Sequence, residues 1–511
     1  MTGGTVAAAI RTFGLVAAGG LALVCAGPAM AQRWTIEPSI ATQATLTNNA
    51  NYESGTQSEA DLIVNVFPAV SFTRDGPRLK IRGSAGLNVI GYADGSQSNR
   101  IQPRADILAN LEAIDRLLYV EAALVANQEW LNPFLAQDDT ASTSNRYTYI
   151  QSRISPYIQG GTGTDWRYLI RSDNSYTQTT QGGGTLADAY FGRHVAEIVR
   201  LPTPGGASLR VQREITRFDR SGDSEQRLDL ALARLTYAFA PHLTASLRGG
   251  YEQTNYTSSD TSGSFYGVDL AWSTPHSSLG GFWENRFFGP SYQADVSTRQ
   301  RRLALNLSAT RSITTYPELI LQLPITGNVS SLLNAILVAR FPDPIERAQQ
   351  VRDLLERQGL PNSLPNGVNI YSQGVNVVTS GSGTFALTGV RNTLALTIYY
   401  VRTTLLPDAA IPPTFITFNN NIQKGVSLSL GHRLNALTTL NTTATRLQVR
   451  GFDQSAGTHS DQYRLQVQAT QKLTPHSSAF IGARYQQQDA NSGGIRDANE
   501  TAIFVGLFYR L

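Results

Sequence analysis

The sequence predicts an all-β protein, a single transmembrane antiparallel β-barrel of about 20 strands (range roughly 18–22) with a short helical insertion acting as a plug. Three observations predict it. Apolar and polar residues alternate with period two in segment after segment of the 511 residues, as half-buried strands require. Tight turns take turns with long polar loops along the chain. The last segment is itself an alternating strand, with Ile503, Val505, Leu507, Tyr509 and Leu511 on one face.

Composition narrows the class. One cysteine and a charged fraction of 16%, beside 44 glycines and 21 tyrosines, do not fit the two or three soluble domains that this length suggests. Beyond the N-terminal region no segment reaches the ~18 consecutive apolar residues of a spanning helix, which excludes a helical inner-membrane transporter. Aromatic and β-branched residues recur throughout, against disorder.

Residues 1–31 read as a secretory signal peptide. Arg11 supplies the positive region, Phe13 to Gly27 the apolar run, and Ala29-Met30-Ala31 the cleavage site. Pro28 ends the run too early for a membrane helix. The barrel is then expected over residues 32–511, in the outer membrane of a Gram-negative bacterium and in contact with its lipid. Cys25 lies in the signal, so the exported part must rely on its own hydrogen bonding rather than on disulfides.

The strands follow in order. Trp34, Ile36, Pro38, Ile40 and Leu46 share a face, then Leu62, Val64, Val66, Val70 and Phe72. Leu79, Ile81, Ala85, Leu87 and Val89 oppose Lys80, Arg82, Ser84 and Asn88. Farther on, Leu247 and Tyr251 oppose Arg248 and Glu252, Leu447 and Val449 oppose Arg446 and Arg450, Leu465 and Val467 oppose Arg464, and Ile481 and Tyr485 oppose Arg484. Runs of ten or so residues are long for soluble sheets and suit a membrane barrel, in which closure pairs every backbone group. Tight turns are expected at Asp75-Gly76-Pro77, Ala240-Pro241-His242, Thr274-Pro275-His276, Asn435-Ala436 and Thr474-Pro475-His476. Between them lie the polar loops 48–60, 92–100, 131–145, 176–186, 217–226, 254–263, 453–459 and 487–499. Short turns at one end and long loops at the other match bacterial outer-membrane barrels.

Residues 313–383 lose the alternation and form the helical insertion. Ser330 to Arg340 is apolar on most sides. Asp343 to Gln358 carries helix signals: Asp343 caps, Pro344 takes the first turn and Gly359 stops it. Ile345, Ala348, Val351 and Leu355 form its apolar stripe. The insertion is expected inside the lumen as a plug rather than outside as a cap. The strand count turns on two parity switches beside it, between Val296 and Leu303 and between Leu387 and Leu394. Two bulges give about 20 strands and place the helices at the periplasmic end, two turns about 22 and place them at the outer end; the lower number is the expectation.

Several phrases carry a family resemblance: Trp34-Thr35-Ile36-Glu37-Pro38-Ser39, Ser155-Pro156-Tyr157, Gly250-Tyr251-Glu252, Arg286-Phe287-Phe288-Gly289-Pro290 leading to Arg299-Gln300-Arg301-Arg302, and Phe341-Pro342-Asp343-Pro344-Ile345-Glu346-Arg347-Ala348. In these the chain resembles the outer-membrane β-barrel family associated with PEP-CTERM/exosortase systems, encoded beside exopolysaccharide genes. The resemblance implies a barrel serving production or export of a surface polysaccharide. It brings no catalytic residues with it.

No catalytic set stands out in the residues. Three of the six histidines, His242, His276 and His476, lie in Pro-His turns, and no metal-ligand or phosphate-loop spacing appears. His459 and Asp461 are the nearest acid–base pair, and a solvated loop explains them as well. No enzyme activity, cofactor, metal or nucleic-acid partner is expected. What the chain offers is guanidinium: of 42 basic residues all but Lys80, Lys424 and Lys472 are arginine. Arg82, Arg104, Arg210, Arg248, Arg446, Arg450, Arg464 and Arg484 are expected to face inward. They would either line a path for an acidic polysaccharide, by bidentate contacts, or pair with Asp106, Glu112, Glu214 and Glu252 to brace the wall. The expected function is a non-enzymatic conduit in exopolysaccharide secretion. An anchoring scaffold for periplasmic export components and a general diffusion porin are the alternatives.

Overall fold

A computed structural model describes residues 34–135, 145–162, 165–180, 186–219, 225–257, 260–321, 329–337, 347, 350–351, 371–406, 420–491 and 497–511. The expected signal peptide lies outside these. The strands are β1 Trp34–Thr47, β2 Asp61–Asp75, β3 Leu79–Tyr92, β4 Arg100–Ile114, β5 Leu118–Trp130, β6 Arg146–Thr162, β7 Trp166–Thr180 and β8 Ala189–Arg200. They continue as β9 Gly205–Phe218, β10 Glu225–Ala240, β11 Leu243–Thr254, β12 Thr261–Ser273, β13 Ser277–Arg286, β14 Gly289–Arg299 and β15 Leu303–Thr314. The ring is completed by β16 Asn376–Thr388, β17 Asn392–Leu405, β18 Asn421–Arg433, β19 Thr438–Gly451, β20 His459–Lys472, β21 Ser477–Asn491 and β22 Ala498–Arg510.

These form a 22-stranded sheet. Each strand pairs antiparallel with the next, and β1 closes the ring on β22 from Ser39↔Arg510 to Thr47↔Ala502. Closure leaves no edge, so the backbone is satisfied without water. The side chains are distributed inside out. Leu235, Leu247 and Ile503 point away from the barrel and are 65%, 66% and 58% exposed, whereas Thr45, Thr397, Gln423, Ser427 and Glu500 are buried. An exposed apolar wall of this extent is stable only against hydrocarbon, so the fold is a transmembrane barrel of the outer-membrane type.

The preferred count of 20 strands is corrected to 22. Both parity switches are two-residue turns: Gln300 N–H donates to Leu303 O at 2.7 Å around Arg301-Arg302, and Gly389 N–H to Asn392 O at 2.7 Å around Val390-Arg391. A bulge and a two-residue turn shift the alternation alike, and only the pairing of β14 with β15 and of β16 with β17 separates them. The insertion is also narrower than expected. Residues 313–314 end β15 and 376–383 belong to β16, leaving 315–375.

The short turns share one end with the Pro-His repeats. In two of these the threonine before proline holds the turn: Ser277 N–H donates to Thr274 Oγ1 at 3.0 Å, and His476 N–H to Thr474 Oγ1 at 3.1 Å. The opposite end carries the long loops, with one exception. β13 and β14 meet there in a tight turn over Phe287-Phe288, made possible by Gly289 at φ +94°.

Candidate functional site

The insertion leaves β15 at the long-loop end, which corrects the periplasmic end expected with 20 strands, and its first described residues, 315–321, reach across the lumen. Helix α1 (Tyr316–Leu321) meets strands six to nine positions away around the ring. Thr315 Oγ1 lies 3.1 Å from Thr216 Oγ1 on β9, Gln151 of β6 donates to Pro317 O at 3.3 Å, and the Tyr316 and Tyr147 hydroxyls are 2.6 Å apart. Glu318 reaches Arg193 of β8 at 3.8 Å. The returning chain is tied to the same side. Tyr371 Oη accepts from Ala187 N–H at 2.8 Å, and Gln226 donates to Gln373 O at 2.8 Å. Tyr147, Tyr316 and Tyr371 pack together with centroids 4.8–6.2 Å apart, Tyr371 edge-on to the other two.

Helix α2 (Val329–Leu337) lies on the other wall. Val329, Leu333 and Ile336 pack on Ala304, Ala386 and Ala395 of β15, β16 and β17. These alanines stand near the short-turn end, and their small side chains leave room for the helix. Val351 joins the same cluster. Val329–Leu337 and Val351 thus lie on the lumen side of the wall, while Asp343, Pro344, Ile345 and Leu355 of the expected plug helix lie outside the described residues. A second crossing comes from the β5–β6 loop. Phe134 is buried among Tyr399, Leu447 and Val449, with its carbonyl accepting from Gln488 at 3.0 Å and Leu135 O from Gln462 at 3.1 Å. That loop reads in the sequence only as a long polar stretch, and nothing local marks Phe134 as the residue that spans the lumen.

Inside, the wall carries two clusters of ion pairs, one from β5 to β9 and one from β10 to β13. Arg171 meets Glu121 at 2.5 Å and Asp173 at 2.8 Å, and Arg193 approaches Asp173 and Glu214 at 3.7 and 3.9 Å. Arg234 and Arg248 each reach Asp269 at 3.1 Å, Arg248 also Glu284 at 3.1 Å, and Arg286 pairs with Glu252. Buried charges of this kind hold only when paired, because desolvation costs several kcal/mol per ion. Glu318 joins the first cluster from the plug. Burial and the neighbouring Glu214 push its carboxyl up to about 8, against the opposing pull of Arg193.

Six of the eight arginines singled out in the sequence face the lumen. Arg248 and Arg484 are braces, the latter bound to Glu500 at 2.7 Å. Arg464 donates to Gln486 at 3.1 Å, and Arg210 stands opposite Glu197 in register. Arg82 and Arg104 have no carboxylate partner among the described residues; the Arg104 guanidinium lies 6.0 Å from the centre of the Phe67 ring. Arg446 and Arg450 are a correction, since they face outward. Arg446 stands opposite the exposed Tyr463 and Arg450 opposite His459, while Leu447 and Val449 point inward under Phe134. The apolar face was assigned to lipid, but here the lumen loop supplies the apolar cover. Of the brace partners expected, Glu214 and Glu252 serve Arg193 and Arg286 instead, and Glu112 caps the Arg116 turn. His459 and Asp461 lie on the outer wall, where Asp461 accepts from Gln448 at 2.9 Å.

The class defined by this geometry is a large outer-membrane barrel with an occupied lumen. No family model and no curated protein matches the chain. Among solved structures it is similar to the siderophore receptor PirA from Acinetobacter baumannii (9% identity, TM-score 0.48, covering 93% of this chain and 80% of that one). It is also similar to the FrpB iron transporter from Neisseria meningitidis, F3-3 variant (9%, 0.48, 93% and 81%) and to OccD1 (OprD) (10%, 0.33, 95% and 97%). These superpositions are loose, and the fold assignment rests on the chain's own closed sheet.

Proposed function

We propose that the protein is a gated, non-enzymatic conduit of the outer membrane, and that its cargo is an exopolysaccharide in transit to the cell surface. One observation carries the gating: the two described ends of the insertion, 315–321 and 371–375, are held to the β6–β10 wall across the lumen largely by polar contacts, beside the apolar seat of α2 on β15–β17. Hydrogen bonds and ion pairs exchange readily with water, so a plug held by them can be displaced without disturbing the barrel closure. The cargo rests on the family resemblance and on the polar lining, where Arg82 and Arg104 offer weak, releasable contacts to an acidic polymer.

The test is single-channel conductance of the refolded chain in a planar bilayer, with and without residues 325–362. Closed intact channels that open on deletion support the conduit. Silence from both, with folding verified by heat-modifiable gel mobility, overturns it in favour of an anchoring scaffold. Export of the polymer in cells lacking and regaining the gene then tests the cargo.

A further inference from the structure

The outer wall differs sharply in charge around the ring. On β9 and β10 the outward arginines at the long-loop end are neutralised within the sheet: Arg213 by Asp229 at 2.6 Å, Arg217 by Glu225 at 2.5 Å and Arg227 by Asp229 at 3.4 Å. On β17 to β19 they are not. Arg402, Lys424 and Arg450 are exposed and have no carboxylate within ion-pair distance among the described residues, and Arg446 has only Asp461 at 3.8 Å.

The four cations form one patch. Lys424 pairs in register with Gln448, so Arg446 and Arg450, two residues either side, are its diagonal neighbours; Arg402 and Arg450 both flank Ile422. Diagonal neighbours on a sheet stand about 7–8 Å apart, close enough for one anion to bridge them. Aromatic rings hold three of the side chains in place. Arg402 lies 4.6 Å from the Phe452 centroid, Arg446 5.1 Å from Tyr463 and Lys424 5.9 Å from Tyr400. Asp461 and Asp489, opposite one another, bound the patch toward β21.

Its height on the wall identifies the occupant. Ile398 and Val426 stand level with Arg446, the lowest of the four, and below them toward the short-turn end come Leu428, Leu430, Leu465 and Val467, all exposed and apolar. The cations thus begin where the hydrocarbon belt ends at the long-loop end, at the level of the outer-leaflet headgroups. Arginine forks there match phosphate geometry, and a lysine adds a point charge.

We infer that β17–β19 carry a binding site for a phosphorylated glycolipid of the outer leaflet. Its phosphate is held by Arg402, Lys424, Arg446 and Arg450, and its acyl chains lie along Ile398, Val426 and Leu428. The site is on the opposite face of the wall from the conduit, and stands whether or not the pore conducts.

The experiment is native mass spectrometry of the full barrel, purified in detergent and supplied with diphosphoryl lipid A, with chemically dephosphorylated lipid A, or with polygalacturonate as a competing soluble polyanion. The variant R402Q/K424Q/R446Q/R450Q is compared with the parent and with R213Q/R217Q, all first shown folded by heat-modifiable mobility. The expected result is retention of lipid A by the parent and the control pair, reduced roughly tenfold or more in the quadruple variant and on dephosphorylation. Equal retention by the quadruple variant, equal retention of dephosphorylated lipid, or displacement by polygalacturonate at matched charge would each overturn the assignment.

Discussion

Glu318 makes the plug sensitive to pH, and the sign can be worked from its surroundings. Docked, its carboxyl is buried beside Glu214 and titrates near 8; released into the lumen water, it returns to the ordinary range near 4.5. Between those two values the docked state holds a proton that the released state has lost. Docking is therefore strongest below about pH 4.5, weakens as pH rises toward 8, and is level above that. Each pH unit in the window shifts the ratio of docked to released by up to about tenfold, and the nearby Arg193, which lowers the docked carboxyl, is already part of what sets the upper end of that window. The assay is open probability in bilayers between pH 5.5 and 8.5, for the parent and for Glu318→Gln. The parent is expected to open more as pH rises. The glutamine variant keeps a neutral side chain at every pH and loses most of that slope. A parent that closes with rising pH, or a variant with the same slope, would refute the reasoning.

Other consequences are as direct. Leu333 is fully buried between α2 and the wall alanines, so Leu333→Ala removes about 2–5 kcal/mol of packing; open probability should rise while the barrel's heat-modifiable mobility stays unchanged. Arg484 and Glu500 form a buried pair next to the β1–β22 seam, with Glu500 also accepting from Thr47 at 2.8 Å. Arg484→Ala is expected to cost about 3–5 kcal/mol in urea-driven unfolding from lipid vesicles, and Arg484→Met with Glu500→Gln to recover part of it. A Cβ on Gly506 would collide with the Phe480 ring and the Thr42 carbonyl, so Gly506→Ala should cost about 1–3 kcal/mol and slow refolding at the seam. Because Arg446 and Arg450 face outward, reversing their charges should leave ion selectivity unchanged, whereas reversing Arg82 and Arg104 should shift it toward cations.

The sequence by itself determined the barrel and most of its wall. Period-two alternation needs only near neighbours to be read, and it placed Ile503, Val505 and Leu507 on the lipid side and Arg248, Arg464 and Arg484 inside, as found. Turn chemistry likewise announced the Thr-Pro-His ends. What the tertiary structure alone decided are the features made by residues far apart in the chain. Leu447 and Val449 look lipid-facing until Phe134, more than three hundred residues earlier, is seen to cover them from inside. Arg301-Arg302 and Val390-Arg391 give the same local pattern as bulges, and only strand pairing made them turns and the count 22. The plug's hold on β6–β10 depends on Tyr147, Arg193 and Tyr371, which carry no shared motif because lumen contacts are set by closure of the ring. A strand knows its own two faces from its residues; which face meets lipid, water or another part of the same chain is settled only when the sheet closes.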